Sequence, residues 1–200
     1  MCIRDRDWND PSAQRGLSTF DQRHLLNANL QYTTGMGLGG RTLMSGWRGA
    51  AYKEWTFLTN IKVGSGLPQT PIDPAAVPGT GYTGILRDNY TGQPIYGSST
   101  PGVYINPAAF EIPPTGYGNA RRDSITGPDQ FSLNASFSRT FRLHGRYNLD
   151  ARIDSTNTLN HVTYSSWNTS VSPTSTSNLF GTRSGPNAMR SASITLRLRF

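Results

Sequence analysis

The chain has 200 residues, of which 35% are hydrophobic, and it carries a net charge of +7. A mean hydropathy of −0.50 leaves little apolar surface for a large central core, yet 9 Tyr, 8 Phe and 4 Trp argue against a disordered chain. Cys2 is the only cysteine, which excludes an intramolecular disulfide, and the scattered Lys and Arg residues argue against a nucleic-acid-binding protein.

The N-terminus shows no export signal. The opening residues, MCIRDRD, are charged and lack the apolar segment of a signal peptide, and no later stretch approaches the roughly 20 apolar residues of a transmembrane helix. We therefore expect residues 1–6 to be a non-native or disordered tip. Residues 7–200 are expected to be a fragment of a longer protein, with any targeting segment upstream.

Five segments alternate between apolar and polar residues with the period of two that places side chains on opposite faces of a strand. They predict strands near residues 23–34, 53–64, 130–142, 146–156 and 190–200. Each has about the 9–11 residues with which a tilted strand crosses a bilayer. The predicted fold class is therefore all-β: an antiparallel transmembrane β-barrel, of which this chain is the C-terminal portion with about five long strands.

The connections between these strands differ in length. Residues 142–146 form a tight turn, whereas residues 64–130 and 156–190 form long loops rich in Pro, Gly, Tyr, Ser, Thr and Asn. In bacterial barrels the short turns are periplasmic and the long loops extracellular. Five strands cannot close a barrel, because the smallest have about eight. The missing strands are expected to precede residue 1.

Aromatic residues recur on the apolar faces at the ends of the strands that this orientation makes periplasmic. Aromatic rings settle at the membrane interface, so these residues predict a girdle there. The set is Tyr32, Trp55, Phe141, Tyr147 and Phe200. Arg139 is the charged exception on this face, and its position two residues before Phe141 predicts that it snorkels to the lipid headgroups.

The opposite, polar faces of the strands are predicted to line the lumen of the barrel. Their charged residues are Lys62, Asp150, Arg152, Asp154, Arg197 and Arg199. Cations outnumber carboxylates in this set, which favours an anionic or oligosaccharide cargo.

The long loop that follows the second strand holds several tyrosines. Loops carry binding residues, and tyrosine combines contact area with a polar group, so these side chains are ligand-contact candidates, with plain loop packing as the alternative for each. They are Tyr82, Tyr90, Tyr96, Tyr104 and Tyr117.

The sequence gives little support for a catalytic or cofactor-binding motif. Residues 35–40 match G-x-G-x-x-G, but no acidic residue follows at the distance of a dinucleotide site, so we expect a periplasmic turn. The three histidines, His24, His144 and His161, are far apart. Asp150 and Asp154 flank Arg152, which favours ion pairs over glycosidase chemistry. We expect no enzymatic activity, no metal and no cofactor.

Several segments together resemble a known family. Asp21, Arg23 and His24 resemble a D-x-R-H strand opening, and residues 65–68 an S-G-x-P motif. The segment INPAAFEIPPTGYGNARRDSITGPDQF resembles an N-x-x-A-F, G-N-x-x-R, G-P loop. LNHVTY resembles F-N-H-x-x-F, with Leu159 and Tyr164 in place of phenylalanines. These motifs are similar to the C-terminal barrel of TonB-dependent transporters, in particular the Oar-like branch with a carboxypeptidase-regulatory-like domain.

The resemblance implies a barrel of about 22 strands in the outer membrane of a Gram-negative bacterium, taking up an unidentified ligand. It also implies outer-membrane lipid and the barrel-assembly machinery as partners, the latter reading the closing strand that ends at Phe200. TonB would act only through the plug and TonB box, which are absent from this chain. The alternatives are a non-transporting outer-membrane adhesion or structural barrel and a soluble all-β carbohydrate-binding module.

Overall fold

The computed structural model describes residues 11–37, 42–43, 45–73, 86–143, 147–171 and 179–200. The chain forms two compact units. One, called the sheet unit here, comprises residues 25–63, 131–162 and 188–200; the other, the loop unit, comprises residues 1–24, 64–130 and 163–187. The predicted tip, residues 1–6, lies outside the described residues.

Thirteen strands and one α-helix are present in the described residues. In chain order they are β1 (Leu25–Thr33), α1 (Gly46–Tyr52), β2 (Thr56–Gly64), β3 (Pro68–Gln69), β4 (Ile72–Asp73), β5 (Leu86–Arg87), β6 (Asn89–Tyr90), β7 (Phe110–Glu111), β8 (Ile125–Thr126), β9 (Gln130–Arg142), β10 (Asn148–Thr156), β11 (Tyr164–Trp167), β12 (Arg183–Pro186) and β13 (Ser191–Arg199). Short 3₁₀ turns occupy Pro11–Gln14 and Pro107–Ala109.

The five long strands form one sheet in the order β1-β2-β9-β10-β13. Their bounds lie within three residues of the ranges that the alternation predicts. Strand β10 pairs antiparallel with both β9 and β13. Among the described strands β1 and β13 are the edges, so the sheet is a section of wall rather than a closed cylinder.

Register keeps the apolar residues of neighbouring strands on one face. Leu149 lies opposite Phe141 on one side and Leu198 on the other, and Ile153 lies opposite Phe137 and Ile194. A one-residue slip would move every one of these side chains to the polar face. Away from the contacts with α1 this face stays uncovered, with Ile194 72% exposed. The sheet therefore lacks a core of its own on this side.

The connection from β1 to β2 holds the helix α1, which the sequence did not predict. Its last turn is bound by two side chains from the apolar face of the sheet. Arg139 donates hydrogen bonds to the carbonyls of Ala50 and Ala51, and the indole Nε1 of Trp55 donates to Ala51 at 3.0 Å. The guanidinium of Arg139 thus satisfies carbonyls that a helix C-terminus leaves unpaired, and its position at the lipid headgroups stays a prediction.

The loop unit folds around a small core instead of forming open loops. Four two-stranded sheets, β3-β8, β4-β5, β6-β7 and β11-β12, hold its segments together. Between them lies a buried cluster: Ile105, Ala109, Phe110, Ala120, Ile125 and Phe180. The rings of Phe110 and Phe180 meet edge to face at 5.8 Å. No helix in the described part of the chain is both long and apolar enough to cross a membrane.

Candidate functional site

The polar face of the sheet unit holds the charged residues that the sequence predicted to line a lumen. Arg197 lies directly opposite Asp150 in the register of β10 and β13. Arg199 binds the same carboxylate through two nitrogens: Nη2 lies 2.8 Å from Oδ1, and Nε lies 2.8 Å from Oδ2. Thr140 donates its hydroxyl to Asp150 at 2.6 Å. The two strands are thus joined across this face by a bidentate charge-assisted contact.

A second ion pair follows along β10. Two nitrogens of Arg152 lie 2.8 and 2.7 Å from one oxygen of Asp154. Asp150 and Asp154, for which the sequence favoured ion pairs over glycosidase chemistry, are therefore each paired with an arginine. This arrangement supports a wall of ion pairs rather than an acid and base poised for catalysis.

Towards β1 the same face becomes neutral and polar. The amide of Asn60 donates to the side chains of Asn27 and Asn29, at 2.9 and 2.7 Å. The hydroxyls of Thr33 and Thr56 meet at 3.1 Å. Lys62, two residues beyond Asn60 on the same strand, is exposed on this face. Polar groups therefore cover most of this face, with Leu58 of β2, which is 42% exposed, as an apolar exception.

An open cavity of about 400 Å³ lies in the sheet unit near the ends of these strands. Its lining includes Thr56, Glu54, Thr140, Arg142 and Asp150. Arg142 and Glu54 form an ion pair at 3.0 Å on its rim. The cavity combines hydrogen-bonding groups and charges of both signs with the apolar side chains of Met36 and Ala151.

The predicted periplasmic aromatic girdle is partly brought together in the structure. Trp55 stands edge to face with Phe141 at 6.0 Å and stacks on Phe137 at 4.6 Å. Tyr147 and Phe200 lie just beyond the last register pair of β10 and β13, Asn148 with Arg199. Tyr32 lies near the end of β1 and is exposed. Their role as an interface girdle stays a prediction.

Of the five loop tyrosines, Tyr82 lies outside the described residues and the other four are at least one-third exposed. Tyr90 packs on the core residue Phe110, with ring centroids 5.8 Å apart. The hydroxyl of Tyr96 accepts a hydrogen bond from the backbone N–H of Thr126 at 2.6 Å.

Tyr104 is the centre of an aromatic and cationic cluster, which we call the platform. Its ring stacks on Trp167 at 4.8 Å, and the guanidinium of Arg183 lies 4.4 Å from its centroid and 5.1 Å from that of Tyr164. Trp167 and Arg183 are register partners on β11 and β12, so both point to the same side of that hairpin. Trp167 also donates its indole N–H to the Thr126 carbonyl at 2.9 Å.

The sequence predicted only one residue of the platform as a ligand-contact candidate. Tyr104 was a candidate, but Tyr164, Trp167 and Arg183 belong to a segment rich in Ser, Thr and Asn that read as plain loop. The pairing of β11 with β12 is what brings the three side chains together. Stacked rings beside a guanidinium present flat apolar faces next to a positive charge.

A carboxyl group is buried elsewhere in the loop unit. Asp88 is 0% exposed, and neither of its carboxylate oxygens has a hydrogen-bond partner among the described residues. It lies on the same face of the β4-β5 pair as Asp73, because Ile72 is paired with Arg87. Burial, and secondarily the charge of Asp73, raises the pKa of Asp88 to about 8.

The connection at residues 35–40 folds as a turn rather than a nucleotide site as far as it is described. Gly35 has a φ of +67°, and Met36 bridges to Thr42 in an antiparallel contact, while residues 38–41 lie outside the described part. No group of three or more His, Cys, Asp or Glu side chains suited to a metal ion occurs in the described ranges.

Comparison with known proteins gave one match. A family model described as an outer membrane beta barrel domain matches residues 3–194, nearly the whole chain. Neither the curated proteins nor the solved structures gave a match. The apolar, uncovered face of the sheet and the polar, ion-paired face opposite are the two faces that a barrel wall in lipid requires.

Proposed function

Because the chain belongs to the outer membrane beta barrel domain family and is a section of an outer-membrane β-barrel, we propose that it is the C-terminal barrel segment of a TonB-dependent receptor and transporter. In this role the five long strands form part of the wall. The loop unit, built from the long connections, captures the ligand. The plug and the TonB box belong to the upstream part of the protein.

The observation that supports a receptor is the platform within a packed loop unit. Binding is tighter when the contact groups are held in place before the ligand arrives. Here the ring of Tyr104 contacts both Trp167 and Arg183, and its backbone N–H donates to the carbonyl of Gly181 at 2.8 Å. Trp167 packs against the buried core, which holds the platform in place, while Tyr104 is 37% exposed and Arg183 is exposed.

The chemistry of both units favours a polar cargo, either an oligosaccharide or an anion. The lumen-facing set holds four cations against two carboxylates: Lys62, Arg152, Arg197 and Arg199 against Asp150 and Asp154. Aromatic rings on the platform suit the flat faces of sugar rings, and Arg183 adds a positive charge. We assign no catalytic role to Asp150 or Asp154, since each is held by an arginine.

Coupling to TonB is tested with the full-length protein. The upstream reading frame is expected to encode a plug domain and a TonB box, and the purified protein is expected to retain the periplasmic domain of TonB on a column. A variant without the TonB box serves as the control and should not be retained. An upstream region without a plug, together with no retention, would overturn transport and favour the non-transporting adhesion or structural barrel.

Ligand capture is tested separately on an array of neutral and anionic oligosaccharides. The full-length protein in detergent is expected to bind a subset of these sugars, and Tyr104→Ala and Arg183→Ala should each weaken that binding at least about tenfold, the loss of ~1.4 kcal/mol. Phe20→Ala is the matched control, because Phe20 is an 82% exposed aromatic residue of the same unit that is outside the platform. Equal effects of all three substitutions would count against the platform as the binding surface.

A further inference from the structure

The helix α1 presents bulky apolar side chains to the outside of the sheet unit. Trp47 is 76% exposed and Tyr52 is 61% exposed, and Leu43 just before the helix is also exposed. Tryptophan is seldom left so open in a water-soluble surface, because burying its ring is strongly favourable. The connection between β1 and β2 therefore carries an apolar surface that needs a partner.

The hydrogen bonds of α1 show on which side of the sheet the helix lies. Arg139 and Trp55 both bind its last carbonyls, and both belong to the apolar face. Trp55 stacks on Phe137 of that face, and Arg139 lies opposite Ala151 between the apolar pairs of β9 and β10. The last turn of α1 is thus fixed to the face that an outer-membrane barrel turns to lipid.

A dense set of contacts fixes the helix there. The guanidinium of Arg139 lies 5.2 Å from the ring centroid of Trp55 and 4.8 Å from that of Phe141, while it binds Ala50 and Ala51. Gly49 is the buried residue of the helix. A charged side chain on the lipid face of a barrel costs stability. Here the charge of Arg139 is compensated by the helix carbonyls and by the two aromatic rings that it contacts.

From this geometry we propose that α1 is an interfacial anchor, lying on the outer side of the barrel wall in the headgroup region of the phospholipid leaflet. The apolar face of the sheet and the exposed Trp47 and Tyr52 then form one continuous lipid-contacting surface. Aromatic side chains prefer this depth. The leaflet is the periplasmic one, because α1 follows the end of β1 opposite to the long connections.

Charge fits the same location. Arg48 lies with its guanidinium 5.4 Å from the ring centroid of Trp47 and is exposed beside it. A cation next to an interfacial tryptophan meets the phosphate groups of the lipids while the ring reaches the acyl boundary. Lys53 follows immediately after the helix. A short amphipathic segment with this composition binds an anionic leaflet.

The proposal is tested by the depth of spin labels in the full-length protein, reconstituted in vesicles of phosphatidylethanolamine and phosphatidylglycerol. Cys2 is replaced by Ser, and single cysteines are introduced as Trp47→Cys and, separately, Tyr52→Cys. Phe57→Cys marks the lipid face, since Phe57 is exposed on the apolar face of β2. Ser138→Cys marks the polar face, where Ser138 lies opposite Arg152.

For each label the collision rates with oxygen, which concentrates in lipid, and with a water-soluble nickel chelate are compared. We expect a several-fold higher oxygen-to-nickel ratio at position 47 or 52 than at position 138, approaching the ratio at position 57. Ratios like that at position 138 at both helix positions would overturn the proposal. So would labels that neither reagent reaches, because they would show a protein partner over the helix instead of lipid.

Insertion is checked first by heat-modifiable migration on gels, and only folded variants are compared. Because Trp47 and Tyr52 are tested in separate proteins, failure of one variant to fold leaves the other to decide. The result does not depend on TonB coupling or on the ligand, so it stands or falls apart from the proposed transport function.

Discussion

The two units of this protein treat the same residue type in opposite ways. Ile194 of the sheet unit is 72% exposed, whereas Ile105 and Ile125 of the loop unit are 0% exposed. In the sheet unit the apolar partner is the bilayer, so no protein core is needed on that face. In the loop unit the apolar side chains bury one another, as is expected for a unit surrounded by water. Solvent, rather than sequence composition, explains the difference.

Polar residues show the reverse contrast. In the sheet unit, Asp150 and Asp154 stay partly exposed and are paired with arginines. In the loop unit, Asp88 is completely buried without a hydrogen-bond partner in the described residues. Substitutions in the sheet unit should therefore change membrane insertion and stability in lipid. Substitutions in the loop unit should change its core packing and its dependence on pH.

The largest effect is expected at the end of the sheet unit. Deleting Phe200 from the full-length protein should leave most of it uninserted, because the closing aromatic strand resembles the signal that the barrel-assembly machinery reads. The heat-modifiable fraction in isolated outer membranes measures this. Phe200→Tyr keeps the aromatic ring and should insert normally. Normal insertion of the deletion would remove Phe200 from this role.

The loop unit should be most sensitive in its core. Phe180 is 1% exposed and contacts Phe110, so Phe180→Ala should cost about 3–5 kcal/mol of local stability. Limited proteolysis of intact outer membranes measures the opening of this unit, and the heat-modifiable band should stay unchanged. The neighbouring Leu179 is 56% exposed, and Leu179→Ala should change the cleavage rate little. Loss of the barrel band in Phe180→Ala would show that the units do not unfold separately.

A charge placed on the lipid face should destabilise the sheet unit through the bilayer. Ile194→Arg is expected to cost roughly 2–4 kcal/mol if the residue lies near the midplane of the membrane. Ser193→Arg is the matched control, because Ser193 is adjacent, faces the polar side and lies opposite Asp154. Urea unfolding in lipid vesicles compares the two. Equal destabilisation would contradict the assignment of the faces.

The strands of the sheet unit were predictable because the alternation of apolar and polar residues is a local pattern. Alternation along a strand depends only on neighbouring residues, and lipid on one side keeps the pattern simple. Register then follows, since pairing Ile153 with Phe137 and Ile194 is the arrangement that keeps apolar residues together. The alternation therefore predicted the long strands to within three residues and the face on which Asp150, Arg152 and Asp154 lie, while their place in a lumen stays a prediction.

The loop unit was not predictable because its contacts join distant segments without a period. Phe180 meets Phe110 across seventy positions of chain, and Gly181 adopts a φ of +77° with Tyr104 bound to its carbonyl. Helix α1 has only seven residues, too few to persist from helix propensity, and Arg139 supplies part of its stability. Neither feature leaves a local signal.

For each unit of pH, a smaller change in the stability of the loop unit is expected. The raised pKa of Asp88, about 8, means that the folded loop unit holds this proton while the unfolded chain, near 3.8, releases it. The contribution of the protonated Asp88 to the stability of the loop unit is then fully present below about pH 4. It is lost as the pH rises to about 8, by at most ~1.4 kcal/mol per pH unit. Proteolysis between pH 5 and 9 measures this, and Asp88→Asn should flatten the profile. An unchanged slope in that variant would assign the pH dependence to another group.

The smallest effect on stability is expected for substitutions of the ion pairs on the polar face. Its size shows whether that face is in contact with water. Asp150 and Arg199 are partly exposed, and in water such a pair contributes little to stability. Asp150→Asn, Arg199→Gln and the double variant should therefore unfold in urea at nearly the same concentration as the unaltered protein. A large coupling between the two substitutions would instead show a dry, low-dielectric face. Near-zero coupling fits a water-filled lumen, and it would set this face apart from the dry environment of Asp88.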